Sequence, residues 1–192
     1  MSDRIKIGIS GGPGSFSEEA AVYCCAKNKI RDYEIKHLIT VENTLSFLDE
    51  GKIDLGVFPI ENSNGGVVYE SLYAMAKHNF SINNIFEIDV RQNLLALPNA
   101  LRKDIKKIVS HQQALKQCRM YLKRNWPESE LIEWEDTAKA ASDLSLGKLS
   151  ENSAVIAPLR CKDLYRLNVI EENIQDLKFN FTSFLAVSKY EY

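Results

Sequence analysis

The sequence lacks most of the features that announce a function class. Its 192 residues contain only four cysteines, Cys24, Cys25, Cys118 and Cys161, with no C-x-x-C pair and no histidine at metal-ligand spacing. That argues against a zinc site or a disulfide framework and for the reduced thiols of a cytosolic protein. Nowhere do about 18 apolar residues run together. The opening MSDRIKIGIS has no long apolar stretch behind its basic residues, so neither a membrane span nor a secretory leader is expected. Basic charge is not in excess: Lys and Arg number 24 against 26 Asp and Glu, net -2, and they are scattered. A general electrostatic attraction to nucleic acid or to an anionic membrane is therefore absent. No Pro, Gly or Ser-rich linker divides the chain. The usual catalytic signatures are missing too: no G-x-x-x-x-G-K-[ST] phosphate loop, no dinucleotide fingerprint, no G-x-S-x-G elbow and no H-E-x-x-H.

What remains is an ordinary globular composition, 45% hydrophobic and 26% charged, arranged in α/β order. RIKIGI alternates as an opening strand. SGGPGSFSEEAAVYCCAKN turns at its glycines and Pro13 and enters a helix whose Ser15 and Glu18 have capping-box spacing. YEIKHL reads as a strand, ENTLSFLDEG as a helix stopped by Gly51, and DLGVFPI as a strand apolar enough to be covered on both faces. VVYESLYAMAKHN has helical spacing with Val68, Leu72 and Met75 on one side. FSINNIFEIDV and NLLALPN are extended. The pattern then restarts: KKIVSHQQALKQCRMYLKRN, ELIEW, DTAKAASDLSLGKL and SAVIAPLRC give strand, helix, strand, helix, strand. TLSFLDEGKIDLGVFPIEN and TAKAASDLSLGKLSENSAVIAPLRC match as a Thr-started helix, a Gly-Lys and a strand ending in Pro, which predicts two similar α/β lobes. KFNFTSFLAVSK alternates as a closing strand that returns to the first lobe. The first lobe should hold residues 1–85 and 172–192, the second residues 86–171.

In open α/β sheets, ligands bind beyond the carboxyl ends of the strands, where helix N-termini offer unpaired N–H groups and a partial positive charge. The polar stretches SGGPGSFS, IENSNGG, SHQQAL and EDTA fall at such junctions. Each could also be a plain turn with a cap. Glu61, Asn62 and Ser63, directly after a buried strand, are costly if desolvated without partners, which favours a functional loop. His111 could serve as a base or merely as a cap neighbour.

Taken together, GGPGSFS, PIENSNGG, SHQQALKQC, TAKAA and NFTSF occur in the order and over the span of the motifs of prephenate dehydratases, whose catalytic domain this sequence resembles. The resemblance implies a fold like that of type II periplasmic binding proteins, with the site in a cleft between the lobes. It implies a carbon–oxygen lyase that removes water and carbon dioxide from prephenate to give phenylpyruvate, in phenylalanine biosynthesis, with no metal or redox cofactor. It assigns Thr182 as donor to the leaving hydroxyl, and Ser15, Asn62, Ser63, Ser110, Gln117 and Thr137 as substrate contacts, with Glu61 in support. A small anionic substrate, a homodimer and a cytoplasmic location complete the expectation. Arogenate dehydration, decarboxylation without aromatisation, and binding without turnover are the alternatives. The sequence departs from the family pattern at Ser183 in place of Arg, Gln112 in place of Pro and Gly12 in place of Pro. Losing the Arg would remove a charge suited to a carboxylate, for which Lys178, Arg160 or Lys189 could compensate. A regulatory ACT domain, and phenylalanine feedback through it, are not expected.

Overall fold

A computed structural model describes residues 4–190 of the chain. It divides into two units, one of residues up to Asp89 and from Asn180 onward, the other Val90–Phe179. The exchanges fall later than the 85/86 and 171/172 positions read from the sequence. The reason is that the strand Phe80–Asp89 runs its full length in the first unit's sheet.

In the first unit, β1 (Ile5–Ile9), α1 (Phe16–Lys27), β2 (Tyr33–His37), α2 (Val41–Asp49) and β3 (Leu55–Asn62) follow one another. They lead to β4 (Gly66–Val67), α3 (Tyr69–Met75) and β5 (Phe80–Asp89), and β11 (Phe181–Lys189) returns to close the sheet. Strand order is β2-β1-β3-β11-β5, with β1 parallel to β2 and β3, and β11 antiparallel to both β3 and β5. Two side-chain layers cover the sheet. On one face Phe86 stacks on Phe184 with ring centroids 6.0 Å apart, and Tyr23 of α1 lies 5.8 Å from Phe86. On the other, Val41, Leu45 and Leu48 of α2 and Ala74 of α3 pack on Phe58, Leu185 and Val187. Burying a side chain such as Phe58 contributes about 1.5–3 kcal/mol.

The second unit repeats the plan. It contains β6 (Asn93–Ala96), β7 (Lys107–His111), α4 (Gln112–Gln117), α5 (Arg119–Asn125), β8 (Glu130–Trp134), α6 (Thr137–Ser145), β9 (Ser153–Ala157), α7 (Cys161–Tyr165) and β10 (Asn168–Glu171). Its order β10-β6-β9-β7-β8 is that of the first sheet read from the other edge: β7 is parallel to both neighbours, and β6 is antiparallel to β9. The internal similarity read from the sequence is thus a similarity of topology.

Four local expectations change. Helix α2 starts before Thr44: Thr40 caps it by accepting from Asn43 N. In the second unit Asp136, one residue before Thr137, caps α6 by accepting from Lys139 N. Helix α3 buries Ser71 and Ala74 while Leu72 is exposed, because the Ser71 hydroxyl donates to the Pro59 carbonyl and turns that side inward. Finally, β3 does not stop at its proline. Pro59 pairs with Phe184 next to a register shift, a position where the missing N–H does no harm, and the strand continues through Glu61 and Asn62. No helix among the described residues is long and apolar enough to cross a membrane.

Candidate functional site

The polar run after Ile60 is the end of a strand and a hairpin, not a loop at a helix mouth. Glu61 pairs with Val67 and Asn62 with Gly66, which takes φ 77°, a conformation glycine adopts without strain. The Asn62 carbonyl oxygen Oδ1 accepts from Asn64 N at 3.0 Å and Gly65 N at 2.7 Å, closing the turn. The amide nitrogen of the same side chain reaches across to β11. Its two protons serve three acceptors: Thr182 Oγ1 at 2.8 Å, Asn180 Oδ1 at 2.9 Å and, as a longer shared contact, the Phe181 carbonyl at 3.2 Å. Ser63 ties down the same strand end: its backbone N–H donates to the Phe181 carbonyl at 2.8 Å, and its hydroxyl accepts from Phe181 N at 3.0 Å. Asn62 and Ser63, at and just past the end of β3, therefore meet the start of β11 with Thr182, over a hundred residues later in sequence.

Thr182 is 8% exposed. Side chains alternate along β11, so Thr182 shares a face with Phe184, the face that α1 covers. Ser15 caps that helix: its hydroxyl accepts from Glu18 N at 3.4 Å, and the Glu18 carboxylate accepts from Gly14 N at 2.6 Å. This is a close variant of the capping box expected from the spacing, with the reciprocal bond one residue earlier than the cap itself. Glu18 also meets His37 Nε2 at 3.2 Å. Glu61 and Ser183 sit on the opposite face. They are directly paired, and Ser183 also pairs with Glu87 on β5, to whose Oε1 its hydroxyl donates at 3.2 Å. Glu61 thus does not join the Asn62 and Thr182 pair.

In the second unit, Ser110, next to last in β7, is fully buried, its hydroxyl donating to the Ile156 carbonyl at 2.6 Å. His111 is the cap of α4, with Nδ1 accepting from Gln113 N at 3.2 Å, so the cap reading holds for it. Gln117, at the end of that helix, accepts from Gln92 Nε2 at 3.0 Å; Gln92 is itself buried, with its backbone N–H on Gln175 Oε1. Thr137 is the first residue of α6, 9% exposed, and its hydroxyl makes no hydrogen bond among the described residues. It stands where a helix N-terminus favours an anion. All four cysteines are buried and none is in a disulfide; burial pushes the Cys25 thiol up to about 11 and raises Cys24 and Cys118 as well, which suits packing rather than reactivity.

Sequence reasoning missed Asn180, wholly buried and bonded to Asn62. The signal was present, since Asn180 opens the NFTSF motif, but its partner lies 118 residues away.

Known proteins share this chain's sequence pattern and fold. The sequence profile of the family described as prephenate dehydratase matches residues 7–192. Arogenate dehydratase/prephenate dehydratase 1 of Arabidopsis thaliana is 32% identical over 187 residues, 97% of this chain and 45% of that protein. The bifunctional chorismate mutase/prephenate dehydratase of Aquifex aeolicus is 29% identical over 189 residues, 98% of this chain and 50% of that one. This chain thus spans about half the length of the curated relatives it matches. Among solved structures, the prephenate dehydratase of Arthrobacter aurescens in complex with L-Phe superposes with a TM-score of 0.88 at 27% identity, covering 98% of this chain and 61% of that one. The shared architecture is the two-sheet α/β fold of these dehydratases. By profile and fold, this chain belongs to the prephenate dehydratase family.

Proposed function

We propose that the protein catalyses the decarboxylative dehydration of prephenate to phenylpyruvate, with Thr182 as donor to the departing hydroxyl. The observation that carries this reading is the Asn62 amide donating to Thr182 Oγ1 at 2.8 Å. A hydroxyl oxygen that accepts there keeps its own proton for another acceptor. In the reaction the ring carboxylate leaves as carbon dioxide, its electron pair enters the ring, and the hydroxyl on the opposite ring carbon departs and takes up a proton to become water. A threonine hydroxyl is too weak an acid to give up its proton fully. Its contribution is a hydrogen bond that strengthens as negative charge develops on the leaving oxygen.

The same reading assigns the substrate's anionic groups to helix N-termini, with Ser15 at α1 and the uncommitted hydroxyl of Thr137 at α6, and adds Ser110 and Gln117 as polar contacts. The relatives' names include both prephenate and arogenate dehydratases, so the two acids are the substrates to compare. A homodimer and a cytoplasmic setting are carried over from the resemblance, and light scattering on the purified chain checks the first.

The test is turnover of prephenate followed by product mass and ultraviolet absorbance. Wild type should yield phenylpyruvate. Removing a donor of this kind costs roughly 10²–10³ in kcat, so Thr182→Val should lose about that much while Thr182→Ser keeps part of the activity. A non-aromatic keto acid as product, or full turnover by Thr182→Val, overturns the proposal.

A further inference from the structure

The hydrogen bonds around Asn62 have a definite direction. Asn64 and Gly65 offer backbone N–H groups, which can only donate, so the atom facing them must be the amide oxygen. The nitrogen must then face β11, where it meets Thr182 Oγ1, Asn180 Oδ1 and the Phe181 carbonyl, all able to accept. An inverted amide would set its N–H against two N–H groups and its oxygen against two carbonyl oxygens, so the alternative orientation is excluded by the partners. Asn180, 0% exposed, adds a second anchor on the nitrogen side. With Asn62 donating, Thr182 is the acceptor in the contact. No other hydrogen bond of the Thr182 side chain occurs among the described residues, so its single proton is not used in the contact with Asn62.

We propose that Asn62 and Asn180 are a positioning pair: they act on the reaction through Thr182 by fixing the direction of its hydroxyl proton, rather than by touching the substrate. The inference rests on Thr182 being the donor to the leaving group. It differs from the expectation that Asn62 is a substrate contact. Both polar atoms of Asn62 are committed to the turn and to β11, and Asn180 is enclosed.

The substitution Asn62→Asp makes the distinction, because it keeps the shape and reverses one hydrogen bond. One carboxylate oxygen still accepts from Asn64 and Gly65, and the other now faces Thr182 as an acceptor. The Thr182 hydroxyl turns inward to donate to it and is lost to the substrate. At neutral pH kcat should fall roughly 100-fold with KM within about threefold, as for loss of a transition-state donor. As pH falls and the new carboxyl takes up a proton it can donate to Thr182 again. The variant, corrected for the uncatalysed rate, should then regain kcat along an acid limb that wild type does not have. Asn180→Leu removes only the second anchor, and should lower kcat by about tenfold, again with KM little changed. This second variant carries the test if Asn62→Asp does not fold. Two results overturn the pair's role: a wild-type pH profile and kcat in both variants, or losses confined to KM. These differ from failure of the donor assignment itself, which is read by Thr182→Val. If Thr182→Val loses turnover while both asparagine variants keep it, Thr182 stands and the positioning pair falls.

Discussion

Ser183 lies directly opposite Glu61 across the ladder between β11 and β3, while their neighbours Thr182 and Asn62 are bonded to each other on the other side of the same sheet. One step along the strand thus separates a potential reacting hydroxyl from a structural position. Ser183 also pairs with Glu87 on β5, so it sits between two exposed carboxylates. An arginine at this position, as in the family pattern, would extend into that acidic row and not toward Thr182.

It follows that Ser183→Arg should be a stabilising change with little effect on chemistry. Exposed ion pairs contribute about 0.2–1 kcal/mol, which for a chain of this size shifts Tm by about 1–3 °C. The gain should shrink in high salt, while kcat stays within about twofold of wild type. A fall in turnover of tenfold or more would mean that the side chain at 183 does reach the substrate.

The parts of this arrangement that the sequence disclosed are those written in short-range pattern. Alternation and capping residues marked β1, α1, β7 and α6, and the repeated strand-helix-strand units anticipated two sheets of one topology. The motifs drew Asn62, Ser63 and Thr182 into one set. What escaped was determined by partners far along the chain. Asn180 depends on Asn62, and the buried side of α3 depends on a hydroxyl reaching Pro59. Glu61 faces away from Thr182 because β3 passes through its proline as a strand, where the sequence suggested a loop. The short β10 was not foreseen, since NVIE becomes a strand only by pairing with β6.

His78 should make the first unit's stability depend on pH. Its ring, 11% exposed, lies between Asp49 at 2.6 Å and Glu42 at 3.3 Å, and Lys77 also pairs with Glu42. Burial pulls the imidazole down, but the hydrogen bonds to Asp49 and Glu42 outweigh it and hold its pKa above the ordinary value. A raised folded-state pKa gives stability that is complete below the unfolded value of about 6.5 and is lost as pH rises through the folded one. The hydrogen bonds from Lys77, and then His78, hold Glu42 below its usual range, so its share disappears only on strong acidification. Urea midpoints of wild type and His78→Gln should differ most between those limits and converge on the alkaline side. A difference independent of pH would remove the titration argument.

A side chain at Gly11 should displace the Ser15 cap. A Cβ there would lie 2.5 Å from Ser15 Oγ and 3.2 Å from the Ser17 Cβ. In Gly11→Ala the Ser15 hydroxyl must move off the N-terminus of α1, and losing such a cap costs about 1 kcal/mol. Denaturant midpoints should report that loss, together with a rise in KM if Ser15 touches substrate. The double variant with Ser15→Ala should be no less stable than Ser15→Ala alone, because the cap is already gone. A further drop in the double variant would place the strain elsewhere in the loop.

Asp143 offers the clearest acid-sensitive element of the second unit. Its carboxylate, on the buried side of α6 and 4% exposed, accepts from Lys148 at 2.8 Å, Trp134 Nε1 at 3.1 Å and Lys139 at 3.3 Å. The Lys148 hydrogen bond foremost, against the opposing effect of burial, holds its pKa below the usual carboxylate range. A depressed pKa means stability that is present above the unfolded value, about 3.9, and is lost as pH falls through the folded one. Asp143→Ala should therefore be destabilised at neutral pH by about 1–3 kcal/mol, since it strands the half-buried indole N–H of Trp134 and breaks charge-assisted bonds. Because Trp134 sits directly on this carboxylate, the same variant should shift its emission to the red while leaving the Trp126 contribution in place. Asp143→Asn keeps an oxygen for the indole and should fall between the two in stability, with a flatter acid limb than wild type. If Asp143→Asn unfolds in acid along the wild-type curve, the titrating group is another carboxylate.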